Sequence, residues 1–360
     1  MKNKITNFNI KGFRSLNGLS LKDLGRLNVI VGRNGSGKTS LLEALYLFFS
    51  DARLESVVGI AERRGEFDKT DNAGEWAPSI RHFFTGHAIA VGADEIVLSG
   101  DEFKVTVSIG VENMPMKNDY RIIAPTTMCR ISSGEGDSGS RGIFSFPVCK
   151  DGAIDVSRSG DDGYNKPLSP EGIPVVFVSP DGIDTKALLK MRDEIVARGS
   201  ESELVKILQL LDARVESVGF LSAHEKDYKS LSNGTLVGLS GVSGRVPVKT
   251  LGDGMRRLLT IAMGMASCSG GVLILDEVDT GLHYSAMESL WKFILTAAER
   301  NDVTVFASTH SLDCLRGLAV VGEESKDVRL YAFSASGRKV VSYTGREMAG
   351  AVNNEIEVRA

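Results

Sequence analysis

The apolar positions of this chain change period several times, and the changes divide it. Ile5 to Ile10 and Leu27 to Val31 are short β-rich runs, while Leu41, Leu42, Leu45, Phe48 and Phe49 recur at helical spacing after Lys38. The first fifty residues therefore predict strand, turn, strand, loop and helix. From about Asp51 to Gly172 the periodicity weakens. Strand-like runs at Glu95 to Leu98 and Phe103 to Ile109 give way to a Gly/Ser/Asp-rich stretch from Ser132 to Gly163, which predicts an inserted, hairpin-bearing region with mobile loops.

Val175 to Val178 is a short apolar strand, and a helix is expected from about Thr185 to a cap at Gly199. Ser200 and Glu203 have the S-x-x-E form of a capping box, and Leu204, Ile207, Leu208 and Leu211 give a second helix to about Ala213. These two make a small helical arm. Further on, Met255, Leu258, Leu259, Ala262, Met263 and Ala266 repeat helically. Val272 to Leu275 and Val303 to Ala307 are continuous apolar strands, separated by a helix from Ala286 to Ala298. Uniformly apolar strands alternating with helices indicate an α/β protein with a mostly parallel sheet covered on both faces.

Composition narrows the class. The chain has 360 residues, 42% hydrophobic and 24% charged, with a net charge of −4, which fits a folded, water-soluble protein of one large domain or a core with an insertion. Its opening Met-Lys-Asn-Lys-Ile-Thr-Asn has no signal-like apolar stretch, and the longest greasy run, Leu41 to Phe49, is broken by Glu43. A cytoplasmic protein without a membrane partner is expected. Four scattered cysteines and five histidines form no metal-ligand or disulfide pattern. The mildly acidic total argues against a DNA-coating surface, although a local basic groove would not show in the sum. Glycine is in excess, with 39 residues.

Some of those glycines carry chemistry. Gly32-Arg33-Asn34-Gly35-Ser36-Gly37-Lys38-Thr39 matches G-x-x-x-x-G-K-[ST] between a strand and a helix. Such a loop turns backbone N–H groups around β- and γ-phosphates, with Lys38 on phosphate oxygens and Thr39 on Mg²⁺; Ser40 follows at the helix start. Far downstream, the strand ending at Leu275 delivers Asp276 and Glu277. Asp276 is placed to hold the Mg²⁺ shell through water, and Glu277 to polarise the attacking water as general base. His310, after Ser308 and Thr309 at the end of the next strand, falls where an imidazole could donate to a γ-phosphate. Gly252 and Gly254, flanking Asp253 at a helix start, make a possible anion nest.

These four elements in this order resemble an ABC-type ATPase, and more narrowly the soluble branch that groups the overcoming-lysogenisation-defect (OLD), RecF and SMC proteins as AAA family ATPases. Ile10-Lys11-Gly12-Phe13-Arg14-Ser15-Leu16 resembles that branch's F-R-S strand, and Asp276 to His283 resembles its D-E…G-L-H segment. The resemblance implies an ABC-ATPase head in residues 1–360: a nucleotide-binding core in 1–50 and 214–345, an antiparallel β insertion in 51–180 and the helical arm in 181–213. It also implies ATP and Mg²⁺ as ligands and Arg14 among the nucleotide contacts. Two heads would close on two ATPs in a homodimer or larger assembly, with Gly252, Asp253 and Gly254 acting in trans. Arg256 or Arg257 would either support that contact or form a solvated helix face.

Departures from transporter cassettes are visible. The turn reads L-G-D-G-M where they carry L-S-G-G-Q, the single glutamine is Gln209, and His283 stands where they have an aspartate. Slow hydrolysis or nucleotide-locked assembly is expected from this. The assembly would gate a partner in DNA metabolism, DNA repair or antiviral defence. The partner would be a separate effector such as a nuclease, because the segment after Gly317 is too short to carry one; DNA is a further expected partner. The competing readings are the ATPase subunit of a transporter, disfavoured by the turn and the missing glutamine, and a non-catalytic module in which ATP is structural glue, disfavoured by Glu277.

Overall fold

The computed structural model describes residues 4–70, 75–89, 91–92, 95–116, 119–135, 139–149, 151–154, 172–183, 185–220, 234–334, 339–354 and 356. The chain forms two compact units. One comprises Met1–Asp23, Thr39–Ile173 and Ser336–Val340, and the other Leu24–Lys38, Pro174–Ala335 and Val341–Ala360.

The second unit carries a six-stranded sheet in the order Val175–Val178, Val272–Leu275, Thr304–Thr309, Leu27–Val31, Val328–Phe333 and Val340–Thr344. Its first five strands pair in parallel. The apolar runs read from the sequence explain this. Every residue of Val272–Leu275, Thr304–Thr309 and Leu27–Val31 is buried, as a sheet covered on both faces requires. The helix Asp253–Ser267 is buried from Arg257 to Met265 and packs on Thr185–Arg198, Glu201–Leu208 and the strand Val175–Val178. A Cβ on Gly264 would lie 3.0 Å from Leu273 and 3.3 Å from Val176, so glycine lets this helix settle onto the sheet. A small antiparallel sheet of Val215–Phe220, Thr235–Leu239 and Arg245–Pro247 completes the unit's strands among the described residues.

The first unit is built on an antiparallel sheet ordered Leu19–Leu21, Phe8–Lys11, Glu95–Gly100, Phe103–Met116, Asp119–Glu135 and Gly139–Pro147. Phe8, Ile10, Ile96, Leu98, Val105 and Val107 alternate inward, the pattern of a sheet with one covered face. Phe48 of the helix Lys38–Phe49 meets Phe8 edge-on with ring centroids 5.3 Å apart. A Cβ on Gly100 would lie 3.0 Å from the Phe48 ring.

Three expectations are corrected here. The first strand starts at Phe8 rather than Ile5, because the N–H groups of Thr6 and Asn7 turn to the Asp101 carboxylate at 2.7 and 3.1 Å. The Gly/Ser/Asp-rich stretch from Ser132 is strand as far as Glu135 and again over Gly139–Pro147. Its pairing holds through Ile131↔Phe144 and Glu135↔Gly139, with a register shift between Ser133↔Gly142 and Gly134↔Ser140 that leaves Arg141 as the extra residue; residues 136–138, 150 and 155–163 of that stretch lie outside the described residues. The second arm helix ends at Leu208, not Ala213. No capping box forms, since the Ser200 side chain makes no cap bond and Glu203 pairs with Arg300 at 2.8 Å. Asp212, accepting from the Arg214 N–H at 3.0 Å, turns the chain into the next strand. The first arm helix, Thr185–Arg198, does end at Gly199, which is left-handed with φ 63°.

Candidate functional site

The sequence motifs converge because of strand register. Leu275 lies opposite Ala307, and Thr309 lies opposite Val31, in parallel pairing. The three strands are neighbours, so the loop after Val31, the acidic pair after Leu275 and the segment after Thr309 all leave the carboxyl edge of one sheet. With strands about 4.8 Å apart, the three exits span roughly 10 Å. That edge is where open α/β sheets bind ligands.

In the glycine-rich loop, Gly32, Gly35 and Gly37 sit at φ 154°, 78° and 103°. A Cβ on Gly32 would fall 2.8 Å from Ser36 Oγ and 2.9 Å from Phe333 Cβ. Lys38 is buried, and its Nζ donates to the carbonyls of Gly32 at 2.8 Å and Arg33 at 3.0 Å. Burial holds the Lys38 ammonium below its usual pKa, against the pull of Asp276 and Glu277, whose carboxylates lie close enough to be felt. Ser36 Oγ is buried without a hydrogen-bond partner. A loop whose ammonium rests on its own carbonyls, beside an unpaired hydroxyl, is poised to receive an anion. Arg33, Asn34 and Gly35 are exposed, and Thr39 and Ser40, half-buried, follow on the first turn of Lys38–Phe49.

Asp276 is 3% exposed, and its Oδ1 accepts from Ser308 Oγ at 2.5 Å. The same Ser308 hydroxyl accepts from the Glu277 N–H at 2.9 Å, and the Ser308 carbonyl accepts from the Val278 N–H at 2.9 Å. Glu277 adopts φ 46°, a left-handed conformation that costs a non-glycine residue on the order of 1 kcal/mol. Arg257 holds it there. This guanidinium, 5% exposed, donates to the carbonyls of Ser179 at 2.6 Å, Asp276 at 2.6 Å and Glu277 at 2.9 Å. Burial lowers the Arg257 pKa to about 10, against the carboxylates of Asp276, Asp279 and Glu277. Thr309 Oγ1 donates to Asp279 at 2.6 Å, and the exposed His310 follows directly.

The Gly252-Asp253-Gly254 turn is brought against the segment that follows the acidic pair. Gly252 is exposed at φ 94°, and a Cβ on Gly254 would lie 3.0 Å from the Gly281 carbonyl and 3.4 Å from Leu282. His283 is exposed, with Nδ1 2.9 Å from Ser285 Oγ and its ring beside Tyr284. The two arginines after the turn divide: Arg256 is exposed and pairs with Asp253 at 3.2 Å, while Arg257 is buried as described. Gln209 is an end-of-helix residue whose Nε2 donates to the Val215 carbonyl at 2.7 Å.

Arg14, expected among the nucleotide contacts, has another occupation in the first unit. Its guanidinium pairs with Glu66 through both terminal nitrogens and with Glu43 through Nε at 2.9 Å, and it rests on the rings of Phe13 and Phe83. The 2%-exposed Glu43 also accepts from Arg64 at 2.8 Å. Two carboxylates thus neutralise this buried guanidinium, although its Nε makes no hydrogen bond.

Thr39 and Asp276 are hard oxygen donors with no imidazole or thiolate beside them in the motif, a set that suits Mg²⁺. Among the described residues no group of three or more His, Cys, Asp or Glu side chains gathers as a metal cluster. Sequence reasoning missed Ser308 as a member of the site and left Arg257 undecided. The signal for Arg257 was present, since it stands among Met255, Leu258 and Leu259 on a helix buried nearly all round.

Comparison with known proteins finds similarities to ATPase domains and related proteins. Residues 3–116 match the AAA ATPase domain family, and residues 200–315 match the family described as AAA domain, putative AbiEii toxin, Type IV TA system. An ATP/GTP phosphatase from Helicobacter pylori is 21% identical over 98% of both chains. The DNA replication and repair protein RecF of Pseudoalteromonas translucida is 48% identical over 42 residues, a local match covering 12% of either chain. A crystal structure of an SMC head bound to the C-winged helix domain of ScpA superposes with a TM-score of 0.48 and 15% identity, over 94% of this chain and 97% of that one. Two separate segments, residues 3–116 with the phosphate loop and residues 200–315 with the acidic pair, are thus each similar to an AAA ATPase domain, and together with the end-to-end similarity to an ATP/GTP phosphatase they support ATP hydrolase activity.

Proposed function

We propose that the carboxyl edge of the parallel sheet is the hydrolytic site, and that ATP binding there drives self-assembly which gates a partner. The observation that carries the first half is the register putting the ends of Leu27–Val31, Val272–Leu275 and Thr304–Thr309 side by side. The backbone of Gly32 to Gly37, with Arg33, Asn34 and Ser36, surrounds the phosphates. Lys38 leaves the Gly32 and Arg33 carbonyls to bridge phosphate oxygens, and Ser40 adds to the helix-start contacts. Thr39 and Asp276 would hold Mg²⁺, which would supply charge neutralisation for the transferred phosphoryl group. Glu277 takes the proton of the attacking water, and His310 donates to the γ-phosphate.

The Gly252-Asp253-Gly254 turn, with Gly252 and Asp253 exposed, supports the second half. An exposed anion nest at a helix start is suited to the nucleotide of a second copy. We infer slow turnover and a homodimer or larger assembly, with a separate effector such as a nuclease. The local RecF similarity favours DNA as a further partner. Solution mass tests the assembly. Glu277→Gln with ATP and Mg²⁺ is expected to accumulate a dimer or larger species, whereas Lys38→Ala stays at its nucleotide-free mass. A monomer for every variant, with or without ATP, removes the assembly. DNA that leaves the ATPase rate unchanged and does not bind removes the DNA partner.

A further inference from the structure

We infer that Arg257 is a positioning residue for hydrolysis: its buried guanidinium grips the carbonyls on both sides of the Asp276–Glu277 peptide and so fixes the direction of the Glu277 carboxylate. The inference rests on the proposed role of Glu277 as general base.

Three observations carry it. Glu277 has a positive φ of 46°, from which a non-glycine residue relaxes toward negative φ unless its surroundings over-determine it. Such a relaxation would swing the side chain away from its present direction. The contacts that resist it are the Arg257 bonds to the Asp276 and Glu277 carbonyls and the Ser308 hydroxyl under the Glu277 N–H. The remaining Arg257 bond reaches the Ser179 carbonyl, just beyond the neighbouring strand Val175–Val178. One planar fork thus ties Glu277 to two strand ends and to the helix that starts at the Gly252-Asp253-Gly254 turn.

The chemistry of the grip is unusual for a buried cation. Arg257 directs its hydrogen bonds to the carbonyl oxygens of Ser179, Asp276 and Glu277 rather than to a carboxylate, and its Nε has no hydrogen-bond partner. A buried cation that feels the carboxylates of Asp276, Asp279 and Glu277 but hydrogen-bonds only to neutral carbonyls is a weak way to stabilise a fold, and an apolar side chain would fill the same helix position at similar or lower cost. What the guanidinium supplies and an apolar chain does not is orientation of a peptide. Lysine cannot reproduce it, because one ammonium on a flexible stem does not span three acceptors in a plane.

The test is a double-mutant cycle in the full chain. Single-turnover ATP hydrolysis and ATP Kd are measured for wild type, Arg257→Lys, Glu277→Gln and the double variant, with thermal unfolding alongside. Arg257→Gln, an uncharged planar amide, is carried as a second variant should lysine disturb folding. Arg257→Lys is expected to lower the hydrolysis rate ~10-fold or more while ATP Kd moves less than ~2-fold, and to add less than ~2-fold in the Glu277→Gln background. An equal loss in both backgrounds, a loss carried by Kd, or a wild-type rate in Arg257→Lys overturns the inference. Wild-type hydrolysis in Glu277→Gln is a different result: it removes the general-base reading and, with it, the function assigned to the grip.

Discussion

A single glycine shows how closely the loop is fitted. Gly32 has φ 154°, and any Cβ there would press on Ser36 and Phe333. The Gly32→Ala variant is therefore expected to displace the loop and weaken ATP binding by about 10-fold or more, since a shift of a few tenths of an ångström breaks several backbone N–H contacts to phosphate together. Isothermal titration with ATP checks this, and an unchanged Kd would mean that the loop tolerates the side chain. At this scale the site was largely legible. The spacing of Gly32, Lys38 and Thr39 and the pair Asp276-Glu277 are local patterns whose chemistry depends on residue type. Ser308 and Arg257 were not legible in the same way, because their roles arise from hydrogen bonds to a peptide 31 and 20 positions away in sequence.

The helix Lys38–Phe49 illustrates what a pattern of apolar positions conveals and what it omits. Its spacing announced a helix, and seven of its apolar side chains are fully or nearly fully buried. Glu43, which interrupts the greasy run, is the part that periodicity does not explain. It lies at 2% exposure between Arg14 and Arg64, and so ties the helix to the loop after the first strand and to the following helix Leu54–Arg64. Removing one partner from a buried ionic group leaves the others uncompensated, so Glu43→Ala is expected to cost about 3 kcal/mol of unfolding free energy. Urea unfolding measures it, and a loss below about 1 kcal/mol would show that water replaces the carboxylate readily. The same physics explains why the surroundings of Arg14 were not legible. A sequence shows an arginine in an F-R-S strand, but not the two carboxylates, 29 and 52 residues on, that take it up.

For the whole molecule, the centre of the parallel sheet was readable because Leu27–Val31, Val272–Leu275 and Thr304–Thr309 are buried along their whole length, and a strand of that kind has few places to go but between layers; Val328–Phe333 and the largely exposed Val340–Thr344 were not read. The antiparallel sheet was harder. Its glycines and serines around Gly134 disguise a strand as a loop, and pairing with Phe103–Met116 on one side and Gly139–Pro147 on the other makes it one. The order of the strands is what turns separate motifs into one site, and strand order is a property of the chain as a whole. Among the described residues no helix is long and apolar enough to cross a membrane.

Hydrolysis itself tests the central claim most directly, by following the fate of bound ATP in wild type, Lys38→Ala and Glu277→Gln with Mg²⁺ present. Lys38→Ala is expected to hold no nucleotide. Glu277→Gln is expected to bind ATP with a Kd near that of wild type yet convert it to ADP about 100-fold or more slowly, the scale of a lost general base. ADP formed at the wild-type rate by Glu277→Gln would contradict the account.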